Sequence, residues 1–423
     1  MHYYNILLIT TKDIYLDNSS SSYTIRSFLQ NWPKENVRQI VCAGFNEIHR
    51  GRVSENTYYL NSKDVCIGSF FVKHQRTATT SLGMTSTNVT YSSDSIKLRI
   101  KQCLKALYAI LPYRRLSQLN TFIQDFKPDI LYSAFMDFKS LDLTLYVANK
   151  FGLPVLPHIM DDWLNTYLNQ SEALYFFRKI FKYKVNNLFA CSRIVLCISD
   201  KMCEEYRKRY NIPIAVSLMH SVNPIAKDVE TCSLPSRKTL LYCGSLYLGR
   251  DKVVKMIGEI LDSLQEDIQL KLFIPIDQWN ELKSHFTSLH SIVYGGFITQ
   301  EELHQEILSS HGLILAESFD ESMLSYTGLS MSTKVPEYLS SGIPIFAIGH
   351  KDQGSIEYLA NNQAAYIVNN VDNLPEMLNK LLKGDNIDNI LKNAQRLFLD
   401  NHAQSKQCDK FYNVVRDSVN NEK

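Results

Sequence analysis

Residues 332–349 read STKVPEYLSSGIPIFAIG, and this stretch decides the fold class. A polar turn leads into a short helical pattern that stops at Gly342, and an apolar strand pattern starts at Pro344. Short β-rich runs separated by helical stretches are typical of parallel sheets with crossover helices. Because this alternation continues along the chain on both sides, the sequence predicts an α/β protein.

The alternation occurs twice, once in each half of the chain. Nearly continuous apolar runs predict strands that are buried on both faces of a sheet. In the first half the predicted strands are 5–10, 39–43, 129–133, 154–159 and 194–199. In the second half they are 239–243, 269–274, 291–295, 312–316, 344–348 and 364–368.

Three prolines, Pro213, Pro224 and Pro235, interrupt the chain between the halves and predict a linker. We therefore expect two Rossmann-like, doubly wound domains facing a cleft, which is the natural ligand site. A polar helical segment at the end is expected to fold back onto the first half. The predicted parts are domain 1–209, linker 210–237, domain 238–385 and helical segment 386–423.

Composition excludes several classes of protein. The 423 residues include 45 Lys and Arg against 43 Asp and Glu, so the net charge of +2 does not favour nucleic acid. Nine cysteines without a CxxC pair argue against zinc and disulfide frameworks. The N-terminus lacks a signal-peptide pattern, and no apolar run reaches the roughly 18 residues of a membrane span. The expected location is the cytoplasm, including the inner face of the plasma membrane.

The helix in the opening stretch carries the chemistry of a phosphate site. Ser332 or Thr333 is expected to cap it, and a helix N-terminus attracts phosphate oxygens through its unpaired N–H groups. Lys334 adds a cation, and Glu337, one turn later, can accept hydrogen bonds from a ribose diol. The competing interpretation is a capped core helix whose Lys and Glu are solvated.

This stretch, with LLYCGSLYLGR at 240–250 and GSIEYL at 354–359, resembles the donor-binding domain of GT-B glycosyltransferases. The resemblance is to the retaining family 4 type, which builds bacterial surface polysaccharides. It implies a nucleotide-sugar donor as substrate, no further cofactor, and a ribose contact from Glu337. Leu329 stands where that family has an acidic residue, so Ser330 or Ser332 is expected to supply polar contacts instead.

A glycine-bracketed loop, CGSLYLGR, follows the strand at 239–243. Gly244 permits an anion to approach the backbone closely. The resemblance implies cations here that neutralise the departing diphosphate; Ser245 occupies one of those positions and Arg250 matches the other. Lys252 is interpreted as a solvated side chain.

Polar residues also follow the strand at 154–159, in the sequence HIMDDW. They are expected at the carboxyl edge of a sheet, where open α/β folds bind ligands. The resemblance places Asp161 and Asp162 as catalytic groups, with His158 and Trp163 on the acceptor side. Alternatively, either aspartate caps a helix and His158 is a core histidine.

Two weaker patterns complete the donor site. In the family that the chain resembles, the dipeptide Gly295-Gly296 and the following Phe297 flank the nucleotide base. Glu317, Ser318 and Asp320 follow a predicted strand and read equally well as a loop of exposed acids. All six residues end or follow a predicted strand.

The chain has no Asp-x-Asp motif, so metal ligands are not predicted and helix N-termini with basic side chains are expected to neutralise the diphosphate. Residues 95–124 contain six basic and no acidic residues. Their basic amphipathic segment, 97–115, is either a contact with an anionic membrane or an ordinary core-facing helix with a solvated Lys face.

Together these patterns predict a metal-independent glycosyltransferase that moves a sugar from a nucleotide diphosphate to a glycan or polyprenyl-linked acceptor, with retention implied by the resemblance alone. Two alternatives stay open. One is a non-catalytic nucleotide- or glycan-binding module, and the other is a GT-B-like nucleotide-sugar 2-epimerase, which needs acid and base groups around the sugar.

Overall fold

A computed structural model describes residues 2–17, 19–42, 55–60, 102–104, 106–107, 109–111, 113, 116–169, 172–225, 238–264 and 267–420. The chain forms two compact units. Unit 1 contains residues 1–82, 88–220 and 407–423, and unit 2 contains residues 221–406 together with 83–87. Unit 2 is therefore inserted, in sequence, between two parts of unit 1.

Unit 1 is built on a seven-stranded sheet in the order β3-β2-β1-β4-β5-β6-β7, with every neighbouring pair parallel. Its strands are β1 (Ile6–Thr10), β2 (Val37–Val41), β3 (Thr57–Tyr59), β4 (Ile130–Ala134), β5 (Val155–Ile159), β6 (Ile194–Cys197) and β7 (Ile214–Ser217). Its helices are α1 (Ser20–Leu29), α2 (Ser117–Phe126), α3 (Phe138–Phe151), α4 (Trp163–Thr166), α5 (Tyr175–Cys191) and α6 (Asp200–Tyr210), with 3-10 turns at Lys34–Asn36 and Glu172–Leu174.

Local sequence explains these elements. All five residues of β1, ILLIT, are buried, as expected for a central strand covered on both faces. Helix α3 begins at a reciprocal cap between Asp137 and Ser140 and ends at Gly152 in the left-handed conformation. Such start and stop signals set the helix between β4 and β5 and so keep the strands parallel.

Unit 2 contains a six-stranded parallel sheet in the order β10-β9-β8-β11-β12-β13. Its strands are β8 (Lys238–Cys243), β9 (Ile268–Phe273), β10 (Ile292–Gly296), β11 (Gly312–Ala316), β12 (Ile345–Ile348) and β13 (Tyr366–Val368). Its helices are α7 (Arg250–Ser263), α8 (Ile276–Leu282), α9 (Gln300–Leu308), α10 (Glu321–Thr327), α11 (Lys334–Ser340), α12 (Gly354–Asn361), α13 (Leu374–Lys383) and α14 (Ile387–Asn401), with 3-10 turns at Lys283–His285 and Val371–Asn373.

The last helix, α15 (Gln404–Asn420), begins in unit 2 and continues into unit 1. Phe411 is fully buried in the core of unit 1, 4.6 Å from Phe28 and 5.6 Å from Trp32 between ring centroids. The part of α15 from Gln407 onward thus contributes to the hydrophobic core of the unit that begins the chain.

The structure confirms the two doubly wound α/β sheets and differs in detail from the predicted boundaries. Strand β7 lies inside the predicted linker 210–237, and the division between units falls at residues 220 and 221. Strand β7 is a short edge strand that directly follows Pro213, and a proline at that place indicated a linker rather than a strand. Residues 226–237 of that linker lie outside the described residues.

Each sheet reverses its strand order at one point. In unit 1 the reversal lies between β1 and β4, and in unit 2 it lies between β8 and β11. Connections diverge to opposite sides of the sheet at such a point, which leaves a crevice at the carboxyl ends of the two strands. These two edges are the places to look for bound ligands.

Candidate functional site

Strand β8 of unit 2 ends at a close approach between its backbone and Lys334. Gly244 follows the strand with a φ of +102°, and a Cβ atom at this position would lie 3.2 Å from Lys334 Nζ. The same ammonium group lies 4.8 Å from the ring centroid of Tyr242. Glycine is therefore needed at 244 both for the backbone angle and for the space that the lysine occupies.

The loop from Gly244 to Gly249 places Arg250 at the same edge of the sheet. Gly249 precedes α7 with a φ of +77°, and a Cβ atom there would lie 2.8 Å from Ser318 Oγ. Arg250 is the first residue of α7, and its guanidinium donates two hydrogen bonds of 2.9 and 3.0 Å to Oε2 of Glu317 and one of 3.1 Å to Oε1. The loop thus fixes a cation directly beyond the β8–β11 reversal.

Glu317 is the residue that follows β11, and only 2% of its side chain is exposed. The sequence interpretation as an exposed acid is therefore wrong for Glu317. It is correct for Asp320, which is exposed and caps α10 by accepting a hydrogen bond from Ser322 N. The described side-chain hydrogen bonds to Glu317 come from a single bidentate partner, Arg250. A buried carboxylate needs such a partner, since desolvation otherwise costs several kcal/mol.

Burial perturbs both charged groups of the STKVPEYL helix, α11. Burial, together with the positive charge of Arg250, lowers the pKa of Lys334 to about 8. Burial raises the pKa of Glu337 to about 7, an effect that the charge of Lys334 opposes. Two partly desolvated groups with pKa values close to neutrality are typical of a ligand site rather than of a solvated helix face.

The residues at the start of α11 are held by α12 as well as by their own turn. Ser332 N donates a 2.9 Å hydrogen bond to Ser355 Oγ, and Lys334 N donates one of 3.4 Å to Ser332 Oγ. Thr333 takes the N-cap position without a capping hydrogen bond from its side chain. Of the two predicted caps, Ser332 therefore makes the side-chain contact.

The remaining predicted donor residues lie at different distances from this edge. Ser245 belongs to the loop after β8, where its carbonyl accepts a 2.5 Å hydrogen bond from Tyr242 Oη. Gly296 ends the edge strand β10, which is separated from β8 by β9. Phe297 follows it and is 76% exposed, so its ring is accessible to a planar ligand. The structure therefore brings together Gly244, Arg250, Lys334 and Glu317.

Unit 1 has a small cavity, open to solvent, at its own reversal point between β1 and β4. Its walls come from the residues that follow β1, β4 and β5 and from the start of α1. They include Lys12, Phe135, Met136, Asp161 and Trp163. The lining is divided equally between apolar side chains and polar or charged ones, so the cavity offers a ligand both apolar contacts and hydrogen-bond partners.

His158 borders this cavity but is 99% buried, and its Nδ1 lies 2.7 Å from Tyr132 Oη. Burial lowers the pKa of His158 to about 3. The imidazole is therefore neutral at physiological pH, which fits the sequence alternative of a core histidine. The His158 side chain therefore forms a fixed part of the cavity wall.

The two adjacent aspartates have different environments. Asp162 is buried and accepts hydrogen bonds from Tyr206 Oη at 2.9 Å and from Arg209 Nη1 at 2.8 and 2.9 Å. The structure corrects its expected role at the acceptor edge, because both oxygens point to α6 instead. Asp161 is half-buried and lines the cavity. The ring of Trp163 packs against that of Phe135, with 5.6 Å between the ring centroids.

Comparisons with known proteins agree with this architecture. Residues 254–399 match the family model "Glucosyltransferase 3-like, C-terminal domain". No curated protein sequence matches the chain. Sucrose-phosphate synthase from Thermosynechococcus elongatus is similar in structure, with a TM-score of 0.62 at 12% identity, over 97% of this chain and 98% of that one.

Two further solved structures are similar along nearly their whole length. Anabaena HepE in complex with UDP and glucose has a TM-score of 0.61 at 10% identity and covers 98% of this chain and 100% of its own. WaaG, a glycosyltransferase involved in lipopolysaccharide biosynthesis, has a TM-score of 0.57 at 11% identity and covers 97% of this chain and 99% of its own. The chain has the GT-B fold.

Within this GT-B chain, the sequence identified Glu317 only as one of three residues after a predicted strand that could equally well be exposed acids. Its position directly after a central strand was the available signal, since the first residue after β8 and the first after β11 meet at the reversal point. The family model also includes Glu317, Lys334 and Glu337 in its matched range. Strand β8, Gly244 and Arg250 lie before that range, so it covers only the β11 side of the reversal.

Among the described residues, no group of three or more His, Cys, Asp or Glu side chains is arranged to hold a metal ion. In the same parts of the chain, no helix is both long and apolar enough to cross a bilayer.

Proposed function

We propose that this protein is a glycosyltransferase that binds a nucleotide diphosphate-sugar donor in unit 2. The observation that carries the proposal is the meeting of Gly244, Arg250 and Lys334 at the β8–β11 reversal. Two cations beside an accessible glycine backbone suit a diphosphate. The glucosyltransferase-like family model, which matches residues 254–399, supports the same assignment.

The reaction requires the nucleotide diphosphate to leave with its electron pair while the sugar becomes oxocarbenium-like. Negative charge grows on the leaving oxygen, so cations that are already fixed in place stabilise the transition state more than the ground state. Glu317 holds the Arg250 guanidinium in one orientation through Nε and Nη2. We assign Glu317 as a positioning residue and Arg250 as the group that contacts the diphosphate.

The other donor contacts follow from position in unit 2. Glu337 is proposed to accept hydrogen bonds from the ribose hydroxyls, and Ser245, Ser332 and Thr333 to contact the phosphates or the sugar. The exposed ring of Phe297, beside Gly296, is proposed to contact the base. HepE was solved with UDP and glucose, which makes UDP-glucose the first donor to test.

The acceptor is proposed to enter the unit 1 cavity. Asp161 lines that cavity, so it replaces Asp162 as the carboxylate offered to an acceptor hydroxyl. Trp163 supplies a flat apolar wall of the kind that sugar rings stack on. A glycan or polyprenyl-linked acceptor in surface polysaccharide synthesis, and retention of configuration as in family 4 enzymes, remain part of the proposal.

A panel of UDP-, GDP- and CDP-sugars tests the assignment. Purified protein is incubated with each donor, and released nucleotide is measured together with binding by calorimetry. We expect one donor class to bind saturably and to be hydrolysed slowly or transferred, with the same rate in EDTA. The variant Arg250→Lys is the matched test of the bidentate guanidinium, and Lys252→Arg is its control on the same helix.

Three outcomes contradict the proposal in different ways. Saturable nucleotide-sugar binding without turnover, tested with a mixture of glycan and polyprenyl-phosphate acceptors, supports the non-catalytic module instead. No binding of any nucleotide sugar removes the donor site altogether. Interconversion of two nucleotide sugars without release of nucleotide supports the 2-epimerase.

A further inference from the structure

Helix α5 of unit 1 has aromatic side chains on the face that points to solvent. Its inner face is formed by Phe181, Val185, Leu188 and Phe189, all buried. On the outer face Phe176 is 65% exposed and Tyr183 is 66% exposed. Large aromatic side chains exposed at this spacing are unusual on a helix that already has a complete core face.

The charges of α5 have one sign. The segment Tyr175–Cys191 contains Arg178, Lys179, Lys182 and Lys184 and no acidic residue. Lys179 and Lys182 are exposed on the same side as Phe176 and Tyr183. Lys184 is turned away, because it pairs with Asp142. The outer face is therefore both aromatic and basic.

A second exposed apolar segment lies next to the start of α5. Cys103 Sγ contacts the carbonyl oxygen of Ala173 at 3.9 Å. Leu104 and Leu107 are 46% and 47% exposed, although the sequence pattern placed both in the apolar stripe of segment 97–115. The described residues of that segment thus fit poorly with an ordinary core-facing helix. Its residues 97–101, 105, 108, 112 and 114–115 lie outside the described residues.

We propose that this surface, formed by Leu104, Leu107, Phe176, Lys179, Lys182 and Tyr183, docks on an anionic lipid bilayer. Aromatic and leucine side chains enter the headgroup region, while lysines attract lipid phosphates. Charge complementarity selects lipid over protein, since the interface cores of protein complexes are depleted in Lys.

Docking would bring the unit 1 cavity close to the bilayer. Phe181, on the inner face of α5, lies 5.6 Å from Trp163 between ring centroids, and Trp163 lines the cavity. One helix therefore separates the lipid-facing side chains from the cavity wall. Only this consequence, access for a lipid-linked acceptor, rests on the proposed function; the docking itself does not.

Vesicle sedimentation with the full chain tests the proposal without any enzyme assay. The vesicles are phosphatidylcholine alone or phosphatidylcholine with phosphatidylglycerol as about one third of the lipid. We expect binding to the anionic vesicles, with at least about tenfold weaker partition onto the neutral ones. Raising the salt from about 0.1 M to about 1 M shortens the Debye length and should release most of the bound protein.

Two double variants sharpen the test, each removing one aromatic ring and reversing one charge. Phe176→Ser with Lys179→Glu should weaken anionic partition at least about tenfold, and Tyr183→Ser with Lys182→Glu should do the same. The matched control is Leu399→Ser with Lys392→Glu on α14, where both side chains are exposed. Its partition should stay within about twofold of the unchanged protein, since it lies outside the proposed surface.

Circular dichroism and UDP-glucose binding are measured on every variant, so that a variant that fails to fold is recognised. If one double variant does not fold, the other double variant tests the proposal. The proposal is overturned if the unchanged protein ignores anionic vesicles, or if a folded variant binds them as well as the control. Loss of a homodimer in the variants, without vesicle binding by the unchanged protein, would assign the surface to self-association. Failure of the donor site would instead appear as absent UDP-glucose binding with vesicle binding intact.

Discussion

Two ion pairs of similar geometry lie in different places of the two units. Arg250 holds Glu317 in unit 2, and Arg209 holds Asp162 in unit 1, with shortest N–O distances of 2.9 and 2.8 Å. The carboxylates are 2% and 3% exposed. Both pairs satisfy the same physical need, because a buried carboxylate requires a hydrogen-bonded cation.

The two ion pairs differ in where they lie relative to the reversal point of their sheet. Glu317 follows the central strand β11 at the sheet reversal, where Gly244 and Lys334 also lie. Asp162 follows β5, one strand away from the reversal between β1 and β4, and its partner belongs to α6. Ion pairing alone therefore does not identify a site; we interpret the first pair as functional and the second as structural.

The largest expected effect is one that the two pairs share. Arg250→Ala and Arg209→Ala should each lower the free energy of unfolding by about 3–5 kcal/mol, because each leaves a buried carboxylate without its cation. Urea titration followed by circular dichroism measures the loss. A change below about 1 kcal/mol in either variant would show that its carboxylate is solvated or protonated in the folded state.

Neutralising both partners is the test that distinguishes the pairs. Arg250→Met with Glu317→Gln, and Arg209→Met with Asp162→Asn, should each recover most of that stability, since no uncompensated charge remains. Donor turnover should fall about 100- to 1,000-fold in the unit 2 pair only, as expected for the loss of a fixed group that stabilises transition-state charge. Equal losses of turnover in the two would contradict the division.

A smaller effect is expected at the ribose. Glu337→Gln should weaken UDP binding about tenfold or more, with a smaller effect on turnover at saturating donor, because a charged hydrogen bond contributes about 1.5–3 kcal/mol. Calorimetry measures the affinity. Glu376→Gln, at an exposed position on α13, is the matched control and should bind UDP normally.

The pH dependence of donor binding follows from the two shifted groups of α11. Below about 7 Glu337 gains a proton and no longer accepts as a carboxylate, and above about 8 Lys334 loses its charge. UDP-glucose, whose diphosphate diester does not titrate in this range, should therefore bind most tightly between these values. Glu337→Gln should remove the acid limb of the profile and Lys334→Met the alkaline limb. A flat profile in the unchanged protein would refute both roles.

The smallest effect is expected at Lys252, on the same helix as Arg250. Its side chain is exposed, and exposed charges contribute little. Lys252→Ala should change donor turnover less than about twofold. A larger loss, measured in the same assay as the Arg250 variants, would extend the diphosphate site along α7.

Sequence patterns predicted what is encoded locally. The buried run of β8, the glycine after it and the short helix after Thr333 were all recognised, because periodicity and turn residues act over a few positions. Partners distant in sequence were missed. Glu317 lies 67 residues from Arg250, and Asp162 lies 47 from Arg209, so only the assembled sheets bring each pair together.

The same limit applies to secondary structure. Strand β7 has only four residues at the edge of the sheet, and β3 only three, so both runs were too short to be recognised as strands. The exposure of Phe176 and Tyr183 was equally hidden, since their spacing in α5 matches that of a buried stripe. Burial of one helix face rather than another depends on the neighbouring elements.

The path of the chain has a consequence for how the protein is dissected. Residues 407–423 belong to unit 1, so deleting them should expose Phe28 and Trp32. We expect the deletion to unfold unit 1, although most of that unit lies at the opposite end of the sequence. A fragment spanning 221–406 keeps its whole sheet, whereas the amino-terminal half expressed alone lacks a piece of its own interior. Unit 1 can therefore be completed only after the residues of α15 have been synthesised.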